Sequence, residues 1–287
     1  MRPFEFHVLP APLALQEDVE CIRIAEYRGT DAFSVKIAPN CRPGLVFQHH
    51  QGRSPIESIA RPSHIRDSAP LVYLYGQITE PSVMHHFPGP YTMTQIVFKP
   101  HALYTLLGLN APVLTDGAAE LQEFAPAGAS PRGISAGDLQ DQLLDATSQP
   151  ERIALLTRFL LAQRQAAPAR DPLVEQSLRL IHRNLGAIQV RALREQLNIS
   201  ERHFERRFRQ VVGVSPQFNL RVQRFNEAVR LLKARHLPKM TDVAHALNFH
   251  DEAHFSRDVK ALAGLTPKRL AHYEDDYRQG QAGYFYV

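Results

Sequence analysis

The chain has 287 residues, 44% of them hydrophobic and 22% charged, which is the composition of globular protein at a length for about two domains. Its longest apolar runs, such as Leu71–Leu74 and Ile96–Phe98, fall far short of a membrane span, and no continuous apolar stretch follows the N-terminal Met1-Arg-Pro. Cys21 and Cys41 are too few for a disulfide framework, so reduced thiols in a cytoplasmic protein are expected. The formal charge of +4 is unevenly divided: residues 1–170 carry 14 basic and 16 acidic side chains, residues 171–287 carry 19 and 13, and within 171–273 the excess reaches +8. A basic block of that size points to a polyanion partner, nucleic acid before membrane, with a merely solvated surface as the plain alternative.

Up to about Phe98 the pattern predicts strands. Phe33, Val35 and Ile37 alternate with Ser34 and Lys36, and Leu45–Phe47, Leu71–Tyr75 and Met93–Phe98 are short β-rich runs bounded by Pro, Gly and Asn. The period then changes. Leu103, Leu106 and Leu107 fit a short helix closed by Gly108, and residues 109–137, rich in Gly, Ala and Pro, predict a loop. Asp138–Ala146 and Arg152–Ala162 predict helices, the second with Ile153, Leu156 and Leu160 on one face. Ala166–Pro172, with prolines at 168 and 172 among small residues, predicts a linker. Beyond it only helices are expected, the first capped by Asp171, started by Pro172 and ended at Gly186.

The strongest signal is an internal repeat of about fifty residues. Leu197–Ser200 recurs as Leu247–His250; His203-Phe204, Arg206, Arg209, Gly213 and Ser215-Pro216 recur, one register later, as His254-Phe255, Arg257, Lys260, Gly264 and Thr266-Pro267. In each copy a short helix (Val190, Leu193, Leu197; Met240, Val243, Leu247) ends at Asn198 or Asn248, a residue type that tolerates left-handed backbone, and Ser200 or Asp251 then caps a second helix. That helix turns Phe204, Phe208 and Val211, or Phe255, Val259 and Leu262, inward, and Arg202, Arg206 and Arg209, or His254, Arg257 and Lys260, outward. A helix, a sharp turn and a basic second helix is the layout of a helix-turn-helix DNA reader. Ser215–Arg235 predicts one helix between the copies, with Phe218, Val222, Phe225, Val229 and Leu232 as its apolar stripe. At about 1.5 Å per residue it spans about 30 Å, close to the ~34 Å of one DNA turn.

At these residues the chain resembles the DNA-binding domain of the AraC/XylS family of bacterial transcription regulators. The motifs are Ser200-Glu-Arg-His-Phe-Glu-Arg-Arg-Phe208, Gly213-Val-Ser-Pro216, the linker residues Arg221, Arg224-Phe225, Ala228 and Leu231-Leu232, and Asp251–Lys260 followed by Gly264-Leu-Thr-Pro267. Val97-Phe-Lys-Pro100, Leu106-Leu-Gly108 and Glu151–Leu156 resemble more weakly the effector-like domain of some members. The resemblance implies an α+β chain: a β-rich, then helical effector or association domain over residues 1–165, and an all-α domain over 171–275 with two helix-turn-helix units joined by a long helix. Its recognition helices offer Arg202, Glu205 and Arg206, and Glu252, His254 and Arg257, as base contacts, because an Arg fork fits guanine O6/N7 and a carboxylate accepts from cytosine N4. Arg207, Arg209, Arg221, Arg224 and Lys260 are offered as phosphate contacts. Four positions depart from the family pattern. Arg194 replaces a small residue and is expected to loosen or shift the first unit, Val259 replaces Phe, Ala253 offers no hydrogen bond, and Asp258 puts an anion beside the DNA face.

No Walker loop, dinucleotide fingerprint, nucleophile elbow or zinc-protease motif is present, so no catalytic residue, metal or cofactor is expected. His49-His50, His85-His86, His64 and His101 read as surface or hydrogen-bonded side chains, and Cys41 as a buried structural thiol before a low-pKa redox sensor. Asn40-Cys-Arg-Pro differs from the Pro-Cys-His-Arg setting of AraC-like alkyl-transfer proteins, so an enzyme is not expected. The reading is a sequence-specific DNA-binding regulator modulated through its N-terminal domain. Double-stranded DNA is its partner, and the family pattern admits activation through RNA polymerase, a small-molecule effector and a homodimer. The competing class is a non-enzymatic scaffold whose basic half binds RNA or acidic protein.

Overall fold

The computed structural model describes residues 4–124, 135–184, 188–232, 239–271 and 284–286. Nine strands open the chain: β1 (Phe4–Pro10), β2 (Val19–Tyr27), β3 (Phe33–Ile37), β4 (Gly44–His49), β5 (Ile56–Ala60), β6 (Ile65–Asp67), β7 (Val72–Tyr75), β8 (Ser82–His86) and β9 (Tyr91–Phe98). Helix α1 (Ala102–Leu107) follows and ends on Gly108, whose φ of 69° is the left-handed turn expected there. Then come β10 (Ala118–Glu120), α2 (Leu121–Phe124), α3 (Ala136–Asp145) and α4 (Gln149–Arg164). The C-terminal helices are α5 (Pro172–Arg183), α6 (Val190–Leu197), α7 (Glu201–Val212), α8 (Pro216–Leu232), α9 (Met240–Ala246) and α10 (Glu252–Ala263), and β11 (Tyr284–Tyr286) closes the described chain.

The strands form two sheets, one ordered β1-β2-β9-β4-β7-β10 and one β11-β3-β8-β5-β6, antiparallel except where β11 joins β3. The Leu45-Val-Phe run is continuous in sequence because β4 is buried on both faces. Leu45 and Phe47, with their neighbours Leu74, Val72 and Ile96, pack under α1, α3 and α4, whereas Val46 and Tyr73 point to the second sheet and meet Ile56, Ile59 and Met84. Strand β2 escapes the alternation rule because its register shifts between Val19 and Cys21.

The loop expected over 109–137 is corrected. A 3-10 turn (Ala111–Leu114), β10 and α2 occupy its first part, because Leu114 and Leu121 bury in the first core; residues 125–134 lie outside the described ones. Gly186, the expected end of α5, and Arg235, the expected end of α8, likewise lie outside them. Asp171 caps α5 as expected, its Oδ1 accepting from the N–H groups of Leu173 and Val174.

The helical part holds two cores. One gathers Val174, Ile181, Leu193, Phe204, Phe208 and Val211; the other gathers Val222, Phe225, Val243, Phe255, Val259 and Leu262. Ala38 and Cys41, from the loop between β3 and β4, belong to the second core. The first domain therefore rests on both units. On the first unit, Thr115 Oγ1 donates to the Gly213 carbonyl at 2.9 Å and Gln210 Nε2 donates to Asn110 Oδ1 at 3.1 Å. On the linker helix, Asn226 Nδ2 donates to the Asn40 carbonyl at 3.4 Å. Asp18, fully buried between β2 and the 165–171 segment, is held by Arg170 at 2.7 Å and by Thr105 Oγ1 at 2.7 Å. Burial alone would raise its carboxyl, but hydrogen bonds from His101 and Thr105 and the Arg170 charge outweigh that and hold it below the usual carboxylate range.

Candidate nucleic-acid interface

Each repeat folds by local backbone rules. Asn198 (φ 48°) and Asn248 (φ 54°) take the left-handed conformation between the short helix and the second, and Gly213 (φ 94°) and Gly264 (φ 68°) end α7 and α10. Ser200 occupies the N-cap position of α7 without a side-chain hydrogen bond, whereas Asp251 Oδ1 accepts from the His254 N–H at 2.6 Å. That bond, with a second from His250, holds the Asp251 carboxyl below its usual range. Ser215 caps the linker helix α8 by accepting from the Phe218 N–H at 3.1 Å. Its seventeen residues span about 25 Å at 1.5 Å per residue.

The recognition helices bury one face and present the other. On α7, Phe204, Phe208, Val211 and Val212 are buried, while Arg202, Arg206 and Arg209 are exposed at helical spacing. Their register equivalents on α10 are Ala253, Arg257 and Lys260, all exposed. Glu205 is half-buried, and burial first, then the neighbouring Glu201 charge, raise its carboxyl against the opposing pull of Arg209. Glu252 is exposed in the first turn of α10. His254 is half-buried with its ring edge-on to Phe249 at 5.4 Å; its register equivalent is His203, which the sequence reading did not select.

Three of the five cations expected on phosphate have partners within the protein. Arg207 pairs with the buried Asp171 at 2.5 Å, tying α7 to the cap of α5. Arg221 Nε donates to Asp258 Oδ1 at 2.5 Å, tying α8 to α10. Arg224 lies over the Phe249 ring at 5.0 Å. Asp258 is thus turned to Arg221. Arg194 does not loosen the first unit: it pairs with Glu201 across the turn, and Leu193, Phe204 and Phe208 are fully buried. Arg209 and Lys260 remain exposed.

Cys41 lies in the left-handed region (φ 58°) and is 1% exposed; burial pushes its thiol up to about 12, so it is a structural thiol and not a low-pKa sensor. Among the described residues no three His, Cys, Asp or Glu side chains group as a metal site. None of the described helices is long and apolar enough to cross a membrane.

Two families match the chain: a helix-turn-helix domain over residues 193–272 and a domain of unknown function (DUF6597) over residues 7–120. The HTH-type transcriptional activator RhaS of Escherichia coli O139:H28 (strain E24377A / ETEC) is 34% identical over 98 residues, which are 32% of this chain and 31% of that protein. RhaS of E. coli strain SE11 is 33% identical over the same length. The chain spans about a third of the length of the curated relatives it matches. Among solved structures, the DNA-binding domain of AdpA in complex with a target DNA is similar at 25% identity and TM-score 0.34, covering 38% of this chain and 98% of that one. ToxT from Vibrio cholerae O395 is similar at 10% identity and TM-score 0.46, covering 94% of this chain and 98% of that one.

Proposed function

We propose that residues 193–272, which match a helix-turn-helix domain, form an AraC/XylS-type DNA-binding domain and that the protein is a sequence-specific DNA-binding transcription regulator, an activator in the manner of the RhaS relatives. One observation supports this reading above the rest. The same exposed face recurs on both second helices, Arg202/Arg206/Arg209 on α7 and Ala253/Arg257/Lys260 on α10, each behind a left-handed Asn turn and in front of a left-handed Gly. A solvated surface has no need to repeat a cationic face in register with two turns that aim it.

In this reading Arg202, Arg206 and Arg257 read base edges, with Glu205, Glu252 and His254 beside them, and Arg209 and Lys260 hold phosphates. Arg207, Arg221 and Arg224 position the helices. Double-stranded DNA is the partner, and RNA polymerase the machinery that activation engages. The two-sheet domain modulates binding because its seats touch Gly213 at the end of α7 and Asn226 on α8, so a shift in that domain changes how the two helices are presented. The test is selection of bound fragments from genomic DNA, followed by gel retardation of the selected duplex and a scrambled one at raised salt. Retention of the selected duplex alone supports the reading. Salt-sensitive, sequence-blind retention of both overturns it and favours a scaffold for RNA or acidic protein.

A further inference from the structure

The two sheets do not fill the space between them. A cavity of about 120 Å³ lies there, with Val46, Gln48 and Met93 from one sheet and Ile59, Ser82 and His86 from the other among its walls. Most of the lining is aliphatic or aromatic, yet four buried polar atoms of lining residues have no hydrogen-bond partner among the described residues: Gln48 Nε2, Ser82 Oγ, His86 Nδ1 and Arg61 Nε. Gln48, Ser82 and His86 are 1%, 2% and 3% exposed. Leaving such a group unsatisfied costs roughly 1–3 kcal/mol, so several gathered on facing walls mark a place where something else supplies the partners.

The walls also say what kind of molecule fits. An engineered cavity of about 150 Å³ in another protein takes a benzene ring, so this one suits a single six-membered ring. Among the described lining residues the one cation, Arg61, donates through its Nη1 to the Asp116 carbonyl and lies 3.6 Å from the Asp116 carboxylate, which balances its charge though its Nε stays unpartnered. His86 clusters with the Phe33 ring at 4.3 Å and the Tyr91 ring at 5.1 Å, which lie 5.8 Å from each other, and burial lowers its imidazole to about 4, so it is uncharged at neutral pH. A carboxylate would find no unbalanced positive charge there, and a polyol would bring more hydroxyls than these few groups can satisfy.

We propose that the inter-sheet cavity binds a small uncharged ring molecule carrying a carbonyl or hydroxyl oxygen, held by Gln48, Ser82 and His86. The proposal rests on the regulator reading for its purpose, since such a ligand is the effector of the N-terminal domain, but not for its test.

The test is isothermal titration of the full chain with phenol and cyclohexanone as probes, and with benzoate and glucose as the charged and polyhydroxylic counterparts. Binding of phenol or cyclohexanone below 10 mM, at least tenfold tighter than benzoate and glucose, is expected. Gln48→Leu should weaken it at least tenfold while the thermal midpoint holds or rises, because an unpartnered amide has been replaced by an apolar group of similar size. Val46→Phe, which fills the cavity, should abolish binding, and circular dichroism checks that both variants fold. No heat with either probe, equal binding of benzoate or glucose, or indifference to both substitutions overturns the proposal and leaves a cavity that holds water only. Gel retardation of the same preparations keeps a failure of the DNA reading separate: lost ligand binding with intact sequence-specific retardation counts against the cavity alone.

Discussion

The pairing of Arg221 with Asp258 separates two accounts of the second unit. If Arg221 were a phosphate contact and Asp258 an anion on the DNA face, Arg221→Ala would weaken DNA binding and Asp258→Ala would strengthen it. The structure places them 2.5 Å apart as a tie between α8 and α10, so both substitutions should weaken binding by letting α10 shift. The energies follow from burial. Exposed ion pairs contribute about 0.2–1 kcal/mol, whereas orphaning one partner of a buried pair costs about 3–5 kcal/mol. The Arg221 side chain is 35% exposed and the Asp258 side chain 11%. Removing Asp258 leaves a guanidinium that can turn to water, at a cost of about 1 kcal/mol; removing Arg221 leaves a carboxylate that cannot, at about 2 kcal/mol. Urea unfolding of the two single variants and the double variant gives the cycle, and a coupling of about 0.5–1 kcal/mol is expected. Titration of one operator duplex at one salt concentration gives the second reading. Additive stabilities, or tighter DNA binding by Asp258→Ala, would refute the tie.

Further expectations rest on single contacts. Arg206→Ala should weaken the selected duplex by about 1–3 kcal/mol and relax preference at one or two base pairs, and Arg202→Ala/Arg206→Ala should cost more than Arg257→Ala/Lys260→Ala, since Ala253 replaces an arginine on α10; equal losses on selected and scrambled duplexes would take Arg206 out of base reading. Gly213→Ala should lower stability by about 1–2 kcal/mol, because φ is 94° and the new methyl would meet Thr115 Oγ1 at 3.0 Å and Gln77 Cγ at 3.2 Å; an unchanged thermal midpoint would contradict it. Asp18 has a lowered carboxyl, so its contribution is complete above the unfolded value of about 3.9 and is lost as pH falls through the folded value; Asp18→Asn should destabilise the protein at pH 7 and flatten its stability profile in acid, and matching profiles for variant and parent would count against it. A fragment of residues 171–287 should unfold at lower urea than the same helices in the full chain, because Ala38 and Cys41, 0% and 1% exposed, close the second core from outside the fragment; equal midpoints would show that the two parts share no core.

The helix-turn-helix pair was legible in the sequence because its determinants are local. Asn198, Asn248, Gly213 and Gly264 sit where the backbone must turn left-handed, and the phenylalanines between them repeat at helical spacing. What lies opposite an arginine is not local. Helical spacing puts Arg207 and Arg221 off the core faces, but their partners are Asp171 and Asp258, more than thirty residues away in sequence and on other helices. Composition misled over 109–124, where Gly, Ala and Pro suggested loop. There Leu114 and Leu121 decide the outcome, because each buries nearly all its surface and draws the segment onto the sheet edge. The polar cavity wall was also beyond reach, since Gln48 and His86 meet only when two sheets close on each other.

The seats of the first domain on the two units are not independent, and Gln77 is the reason. This residue follows β7 and is 1% exposed. Its Nε2 donates to the Cys41 carbonyl at 3.4 Å, beside the loop that enters the second core. Its Cγ lies on the approach to Gly213, and its own carbonyl accepts from the Asp116 N–H at 2.8 Å, next to the Thr115 that holds the Gly213 carbonyl. Asp116 in turn is gripped by Thr79 and by Arg61, a residue of the cavity wall. Close-packed interiors transmit displacement instead of absorbing it. Contacts therefore run from Arg61 to the end of α7 through Asp116 and Thr115, and to the second core through Gln77 and Cys41. In the regulator reading proposed above, this set of contacts is the route by which one event in the two-sheet domain would reach both helix-turn-helix units together.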